Sequence, residues 1–141
     1  MKVKKIFIDC DGVLTDGRLN ISQCGGKLFK AFHTRDIRAI RELVFNGYEV
    51  TIVSSDDWPG GQHFAEKVGA DFRYMRDKNL NEEEYIAIGD DAWDVPMLKK
   101  ATIGFCPSDS DKSVKKLKNV ITLETEGGRG VMAEVCRRLL S

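Results

Sequence analysis

The chain has 141 residues, 42% of them hydrophobic and 31% charged, and its 22 basic and 22 acidic side chains cancel to a formal net charge of zero. That length suits one soluble domain with one core, spanning 1–141. A neutral balance gives no global field to hold nucleic acid or an anionic membrane surface, and no apolar run approaches the length that spans a bilayer.

The first apolar run, Ile6-Phe7-Ile8, is short and β-branched and reads as a buried strand. It breaks off at Asp9 and Asp11, with Gly12 and Asp16 following. Carboxylates are costly to bury without a partner, which places the pair at the strand end, where open α/β sheets bind ligands. Residues two apart on an extended segment face the same side. Two carboxylates so placed repel unless a cation, a proton or hydrogen bonds hold them. Cys10 between them faces the other way, towards packing. An acidic turn after an edge strand is the competing reading of this pair taken alone. The apolar part of the opening MKVKKIFI stops too early for a secretory leader. Four scattered cysteines (Cys10, Cys24, Cys106, Cys136) without a CxxC read as free thiols, so a cytoplasmic protein is expected.

Strand-like pieces at 18–21 and 27–32 flank Gly25-Gly26 and predict a hairpin. Thr34 or Asp36 is the expected cap of a helix carrying Ile37, Ile40, Leu43 and Val44, which stops at Asn46-Gly47. A strand at 50–53 ends on Ser54-Ser55-Asp56-Asp57, and 58–61 reads as a turn before a helix over 63–68. A third strand is expected at 71–74 and a fourth at 85–88, the latter ending at Gly89-Asp90-Asp91. The connection between them is so short that its helix must shrink to about one turn. A helix at 94–100, a strand at 102–105, a basic helix capped by Ser108 or Ser110, and a strand at 120–123 follow. The basic helix lacks the interleaved aromatics of a nucleic-acid surface. Gly127-Gly128-Arg129-Gly130 opens a last helix with Val131, Val135, Cys136, Leu139 and Leu140 on its apolar side. Alternating strands and helices predict an α/β, doubly wound, mainly parallel sheet. Trp58 and Trp93 are expected to pack, and His33 and His63 to be structural or exposed.

Three polar clusters thus follow three apolar strands: Asp9/Asp11, Ser54/Ser55 and Asp90/Asp91/Asp94. A parallel sheet brings them to one rim, and converging carboxylates suit Mg²⁺, a hard cation bound by oxygen. Lys78 in the short connection can reach the same rim. A metal, a lysine, a hydroxyl and a free carboxylate together suit phosphoryl transfer. In that reading Asp9 is the nucleophile and Asp11 the general acid and base. Mg²⁺ is held by Asp9, Asp90 and the main-chain carbonyl of Asp11, with Asp94 supporting it from behind or through water. Ser54 donates to the phosphoryl group, and Lys78 offsets the gathered charge.

These residues resemble a known family. Asp9-Cys10-Asp11-Gly12-Val13 is similar to the DxDGV motif of the haloacid dehalogenase (HAD) superfamily of phosphatases, Ser54 and Lys78 look like its second and third motifs, and Gly89-Asp90-Asp91-Ala92-Trp93-Asp94 looks like its GDDxxD. DCDGVLTDG at 9–17, Lys30-Ala31-Phe32 with Arg35-Asp36, and Gly127-Gly128-Arg129-Gly130-Val131 resemble the 3-deoxy-D-manno-octulosonate 8-phosphate (KDO 8-phosphate) phosphatase branch. The resemblance implies a Rossmann-like core with a hairpin flap at about 17–32 and no large cap domain. It further implies a sugar-phosphate substrate from lipopolysaccharide synthesis or a nine-carbon relative, and a homo-oligomer, typically a tetramer, whose neighbours close the site. Arg35 and Arg129 become candidate contacts for the sugar acid. Where the branch has Gly and Arg after the hydroxyl residue, this chain has Ser55 and Asp56, which is expected to remove a cation from the substrate's surroundings.

Two other readings use the same residues. A phosphoacceptor signalling domain also combines Mg²⁺, an aspartyl-phosphate, a hydroxyl and a lysine, but no lone Asp ends the second strand here. A HAD-like module that assembles subunits without catalysing would keep the fold; its intact aspartates argue against it.

Overall fold

A computed structural model describes residues 2–141. Six strands form one parallel sheet in the order β3-β2-β1-β4-β5-β6. They are β1 (Lys5–Asp9), β2 (Glu49–Ser54), β3 (Asp71–Tyr74), β4 (Ile86–Ile88), β5 (Ile103–Cys106) and β6 (Val120–Thr122). The helices are α1 (Thr34–Phe45), α2 (Pro59–Val68), α3 (Val95–Lys100), α4 (Lys112–Lys115) and α5 (Val131–Leu140). The doubly wound α/β expectation holds, and no large cap domain is present among the described residues.

Alternation along β1 builds two cores. Ile6, Ile8 and Cys10 pack with α1, α2 and α5, whereas Phe7 packs with Leu80, Tyr85, α3 and α4. Cys10 is fully buried, on the side opposite the aspartates as expected. Strand order runs outwards from β1 to β3, then restarts at β4 on the other flank of β1. The switch point therefore lies between β1 and β4, where such sheets open a crevice beyond their carboxyl ends. Asp9 pairs in register with Val53, and Ile8 with Ile88, so the acids after β1 and β4 and Ser54 of β2 share one rim.

Several local expectations change. The β3–β4 connection forms no helical turn at all. Its eleven residues, 75–85, reach roughly 36 Å when extended, ample for three inter-strand spacings of about 14 Å in total; Leu80 anchors it in the second core. The turn expected at 58–61 is instead the first turn of α2, because Pro59 at the first helical position is already set for helix. His33, not Thr34 or Asp36, caps α1: its Nδ1 accepts from Arg35 N at 3.1 Å. Asp36 is drawn inward instead, accepting from Met132 N of α5 at 2.9 Å. Asp111, rather than Ser108 or Ser110, caps α4. Trp93 does not pack: it is 75% exposed. The hairpin exists, but its strands shrink to one antiparallel bridge, Ile21 with Lys27.

Candidate active site

Beyond the sheet's carboxyl edge lies a cleft of about 200 Å³ lined by Asp9, Asp11, Ser54, Lys78, Asp90 and Asp94, among others. Asp9 ends β1, and the chain then turns tightly through Cys10–Leu14, closed by Thr15 N donating to Cys10 O at 3.1 Å. Gly12 makes this turn possible. Its φ is +91°, and a Cβ there would lie 1.9 Å from Asp90 Oδ2, so any side chain would push into the second acidic cluster. Gly127 backs the same loop, since a Cβ on it would meet Gly12 O at 2.0 Å. The C-terminal glycine-rich segment thus supports the turn from within the same chain.

Lys78 is buried and donates to Asp9 Oδ1 and, at 2.7 Å, to Asp94 Oδ1. The extended crossover delivers it here. Burial pulls its ammonium towards neutrality, but Asp9 and Asp94 outweigh that and hold it charged, with its pKa raised. Asp94 Oδ2 accepts from Asp90 N at 2.9 Å and Asp91 N at 3.2 Å. With both oxygens engaged, Asp94 fixes the Gly89–Asp91 turn and the lysine together. Asp91 is exposed and accepts from Ala92 N, a helix-capping role.

Carboxylate oxygens of Asp9, Asp90 and Asp94 lie within 4.8 Å of one another. One lysine cannot balance three carboxylates, two of them buried and the third, Asp90, half-buried. Desolvation, then repulsion from Asp94, holds the Asp9 carboxyl well above its ordinary pKa despite Lys78. Desolvation raises Asp90 as well. Asp90 Oδ1 is buried without any hydrogen-bond partner. An orphaned anionic oxygen facing two other carboxylates is the donor set a hard divalent cation takes.

Asp11 stands apart from that trio. Its carboxylate is partly exposed, takes the Thr15 hydroxyl on Oδ1 at 3.2 Å and the Lys30 ammonium on Oδ2 at 2.8 Å. It is oriented yet reachable, as a proton carrier must be. Ser54 is buried at the cleft wall, and its Oγ accepts from Asp56 N at 3.0 Å, which leaves its own O–H free to donate.

The sequence reading missed Lys30. Two flap cations nevertheless stand beside Ser55–Asp57: Lys27 and Lys30 lie 2.7 and 3.1 Å from the two oxygens of Asp56. Burial opposes the Asp56 charge, but hydrogen bonds from these lysines hold its carboxyl below the ordinary value. The available signal was two flap lysines and an extra pair of acids, complementary in charge but far apart in the chain. A second cavity of about 120 Å³ runs under the flap, lined by Arg18, Asn20, Lys27, Phe29, Lys30 and Trp58 among others, and shares Asp11 and Gly17 with the cleft. Arg35 and Arg129 line neither space; both are exposed, with Arg35 packed near Gly130.

Residues 66–135 match the family model of haloacid dehalogenase-like hydrolases. The KDO 8-phosphate phosphatase of Haemophilus influenzae is 31% identical over 151 aligned residues, covering 98% of this chain and 83% of that protein. The chain belongs to the haloacid dehalogenase-like hydrolase family. Within it the chain is a phosphatase of the KDO 8-phosphate phosphatase-like branch. The cobalt-bound structure of a Haemophilus influenzae deoxy-D-mannose-octulosonate 8-phosphate phosphatase superimposes with a TM-score of 0.89 at 28% identity, covering 98% of this chain and 87% of that one. The same fold recurs in the Moraxella catarrhalis KDO 8-phosphate phosphatase, solved with magnesium, phosphate and KDO, at a TM-score of 0.90 and 22% identity, with 98% and 86% covered. No described helix of this HAD-type phosphatase is long and apolar enough to cross a membrane.

Proposed function

We propose that this HAD-type phosphatase hydrolyses the phosphomonoester of a 3-deoxy sugar acid, KDO 8-phosphate or a nine-carbon relative, with Mg²⁺ as cofactor. The observation that carries the reading is the convergence of Asp9, Asp90 and Asp94 around the unpartnered Asp90 oxygen, with Asp11 held apart for proton transfer. Asp9, Asp90 and the Asp11 main-chain carbonyl would hold Mg²⁺, with Asp94 bracing them; the ion would neutralise phosphate charge and lower the barrier to attack.

Asp9 attacks phosphorus and forms an aspartyl-phosphate while Asp11 gives a proton to the departing sugar alkoxide. Asp11 then takes a proton from water, which attacks phosphorus and frees Asp9 and inorganic phosphate. Lys78 keeps Asp9 oriented and partly offsets the gathered charge, and the Ser54 hydroxyl donates to a phosphoryl oxygen. The flap and second cavity receive the leaving sugar and exclude water. Leu19, Ile21, Leu28 and Phe29 of the flap are each more than half exposed, a surface suited to a homo-oligomer, and the reading includes a tetramer. Arg35 and Arg129 are then candidate contacts to a neighbouring copy's sugar acid. Four free cysteines fit a cytoplasmic protein.

Phosphate release from KDO 8-phosphate, with Mg²⁺ or a chelator, tests this reading. Turnover that requires Mg²⁺ and vanishes in Asp9→Asn is expected. Undiminished turnover in Asp9→Asn, or no release from any sugar-acid phosphate, would contradict it.

A further inference from the structure

The flap is tied to the core by charge. One bridge pair holds its two arms together, and its large apolar side chains face solvent, so burial does little to dock it. Asp56 is where it attaches: Oδ1 takes Lys27 at 2.7 Å and Oδ2 takes Lys30 at 3.1 Å. Asp56 is itself held in place, because Oδ1 also accepts from Trp58 N at 3.1 Å and its own N–H donates to Ser54 Oγ. Lys30 makes a second contact at Asp11 Oδ2, at the boundary between the cleft and the cavity under the flap. A single carboxylate therefore links two flap lysines to the loop that follows Ser54, and one of those lysines also reaches Asp11.

We propose that Asp56 is a positioning residue: through Lys27 and Lys30 it seats the flap over the cleft and delivers Lys30 to the Asp11 carboxylate. Partly exposed ion pairs of this kind are individually weak and screened by salt, so the seat can open for substrate and product and close between. The kinetic part of this proposal rests on the phosphatase reading above; the seating itself does not.

Cys24, at the tip of the hairpin, is exposed, whereas Cys10, Cys106 and Cys136 are buried. A nitroxide attached to Cys24 of the full chain therefore reports on the flap alone. Its motion is expected to be restricted at low salt in the wild type and freed in Asp56→Asn, which keeps the oxygen that accepts from Trp58 N and removes only the charge. Raising NaCl should free the wild-type flap and leave the variant unchanged, and Asp56→Glu should restore restriction. In steady state, Asp56→Asn should raise KM for KDO 8-phosphate about fivefold and also lower kcat, because Lys30 no longer orients Asp11, and Asp56→Glu should restore both. Equal label mobility and equal salt response in wild type and Asp56→Asn would overturn the proposal. If the wild type releases no phosphate from any sugar-acid phosphate, the substrate reading fails and the label alone decides the seating.

Discussion

The acidic cleft and the flap beside it are built on opposite principles. In the cleft Asp9, Lys78 and Asp94 hold one another in place. Asp9 ends a central strand, Lys78 is clamped between two carboxylates, and Asp94 spends both oxygens on its neighbours. The flap has one backbone bridge, exposed apolar side chains and an ionic tether. Chemistry that depends on positions known to fractions of an ångström needs the first kind of construction. The substrate admission and assembly proposed above would need the second, because a surface that must open or dock cannot be committed to the core.

The sharpest way to break this contrast is to remove the clamp. Lys78→Met leaves the buried carboxylates of Asp9 and Asp94 without their cation, and breaking a buried ion pair from one side costs roughly 3–5 kcal/mol. Urea unfolding without metal should show that loss. Adding Mg²⁺ should recover part of it if Asp9, Asp90 and Asp94 face a shared ion. Turnover should fall at least about a hundredfold in the same variant.

Gly12→Ala comes next. Its Cβ would sit 1.9 Å from Asp90 Oδ2 at a φ of +91°, so the loop or Asp90 must shift. A loss of about 1–3 kcal/mol and of most activity is expected. Unchanged melting and kinetics would show that the cleft is less tightly determined than its geometry implies.

The legibility of the sequence follows the same division. Asp9, Asp11, Ser54, Asp90 and Asp94 could be read because each follows an apolar strand, and a parallel sheet gathers strand ends on one rim. Lys78 could be placed only through the shortness of its connection, and the structure shows why: with no helix, the segment crosses directly to the cleft. Lys30 and Asp56 could not be paired, since partners 26 residues apart in a hairpin and a loop leave no periodicity. The cap of α1 was misjudged for a related reason. Asp36 is a good capping residue by type, but tertiary structure drew it to the start of α5.

That displaced Asp36 offers a smaller and cleaner test away from the cleft. It is fully buried with Oδ2 unpartnered, and desolvation pushes its carboxyl up to about 6 although Met132 N and Ala133 N oppose this. A folded pKa above the unfolded one means the folded chain binds the extra proton. This group's contribution is therefore most favourable below the unfolded value of about 3.9 and is lost as pH rises towards 6. Wild type minus Asp36→Asn stability should fall by about 1–3 kcal/mol between pH 4 and pH 7, read from denaturant midpoints. Glu134 has the opposite sign: burial opposes its charge, but Thr125, Arg138 and Glu124 N hold its pKa down. Its stabilisation is present above the usual carboxylate range and lost as pH falls through it, so Glu134→Gln should steepen none of the neutral-pH behaviour.

The smallest expected effect lies on the flap. Phe29→Ser and Leu28→Ser should change protomer stability by less than about 0.5 kcal/mol, because both side chains already face solvent. Sedimentation should show weakened assembly instead. A large loss of protomer stability would mean that the flap belongs to the core after all.

The fate of phosphorus decides the mechanism. Acid quench of the Mg²⁺-loaded wild type during turnover of KDO 8-phosphate, followed by borohydride reduction and peptide mass spectrometry, locates any acyl-phosphate. A labile phosphate is expected on Asp9, absent without Mg²⁺. Label on Ser54 or on Asp11, with Asp9 unmodified, would contradict it.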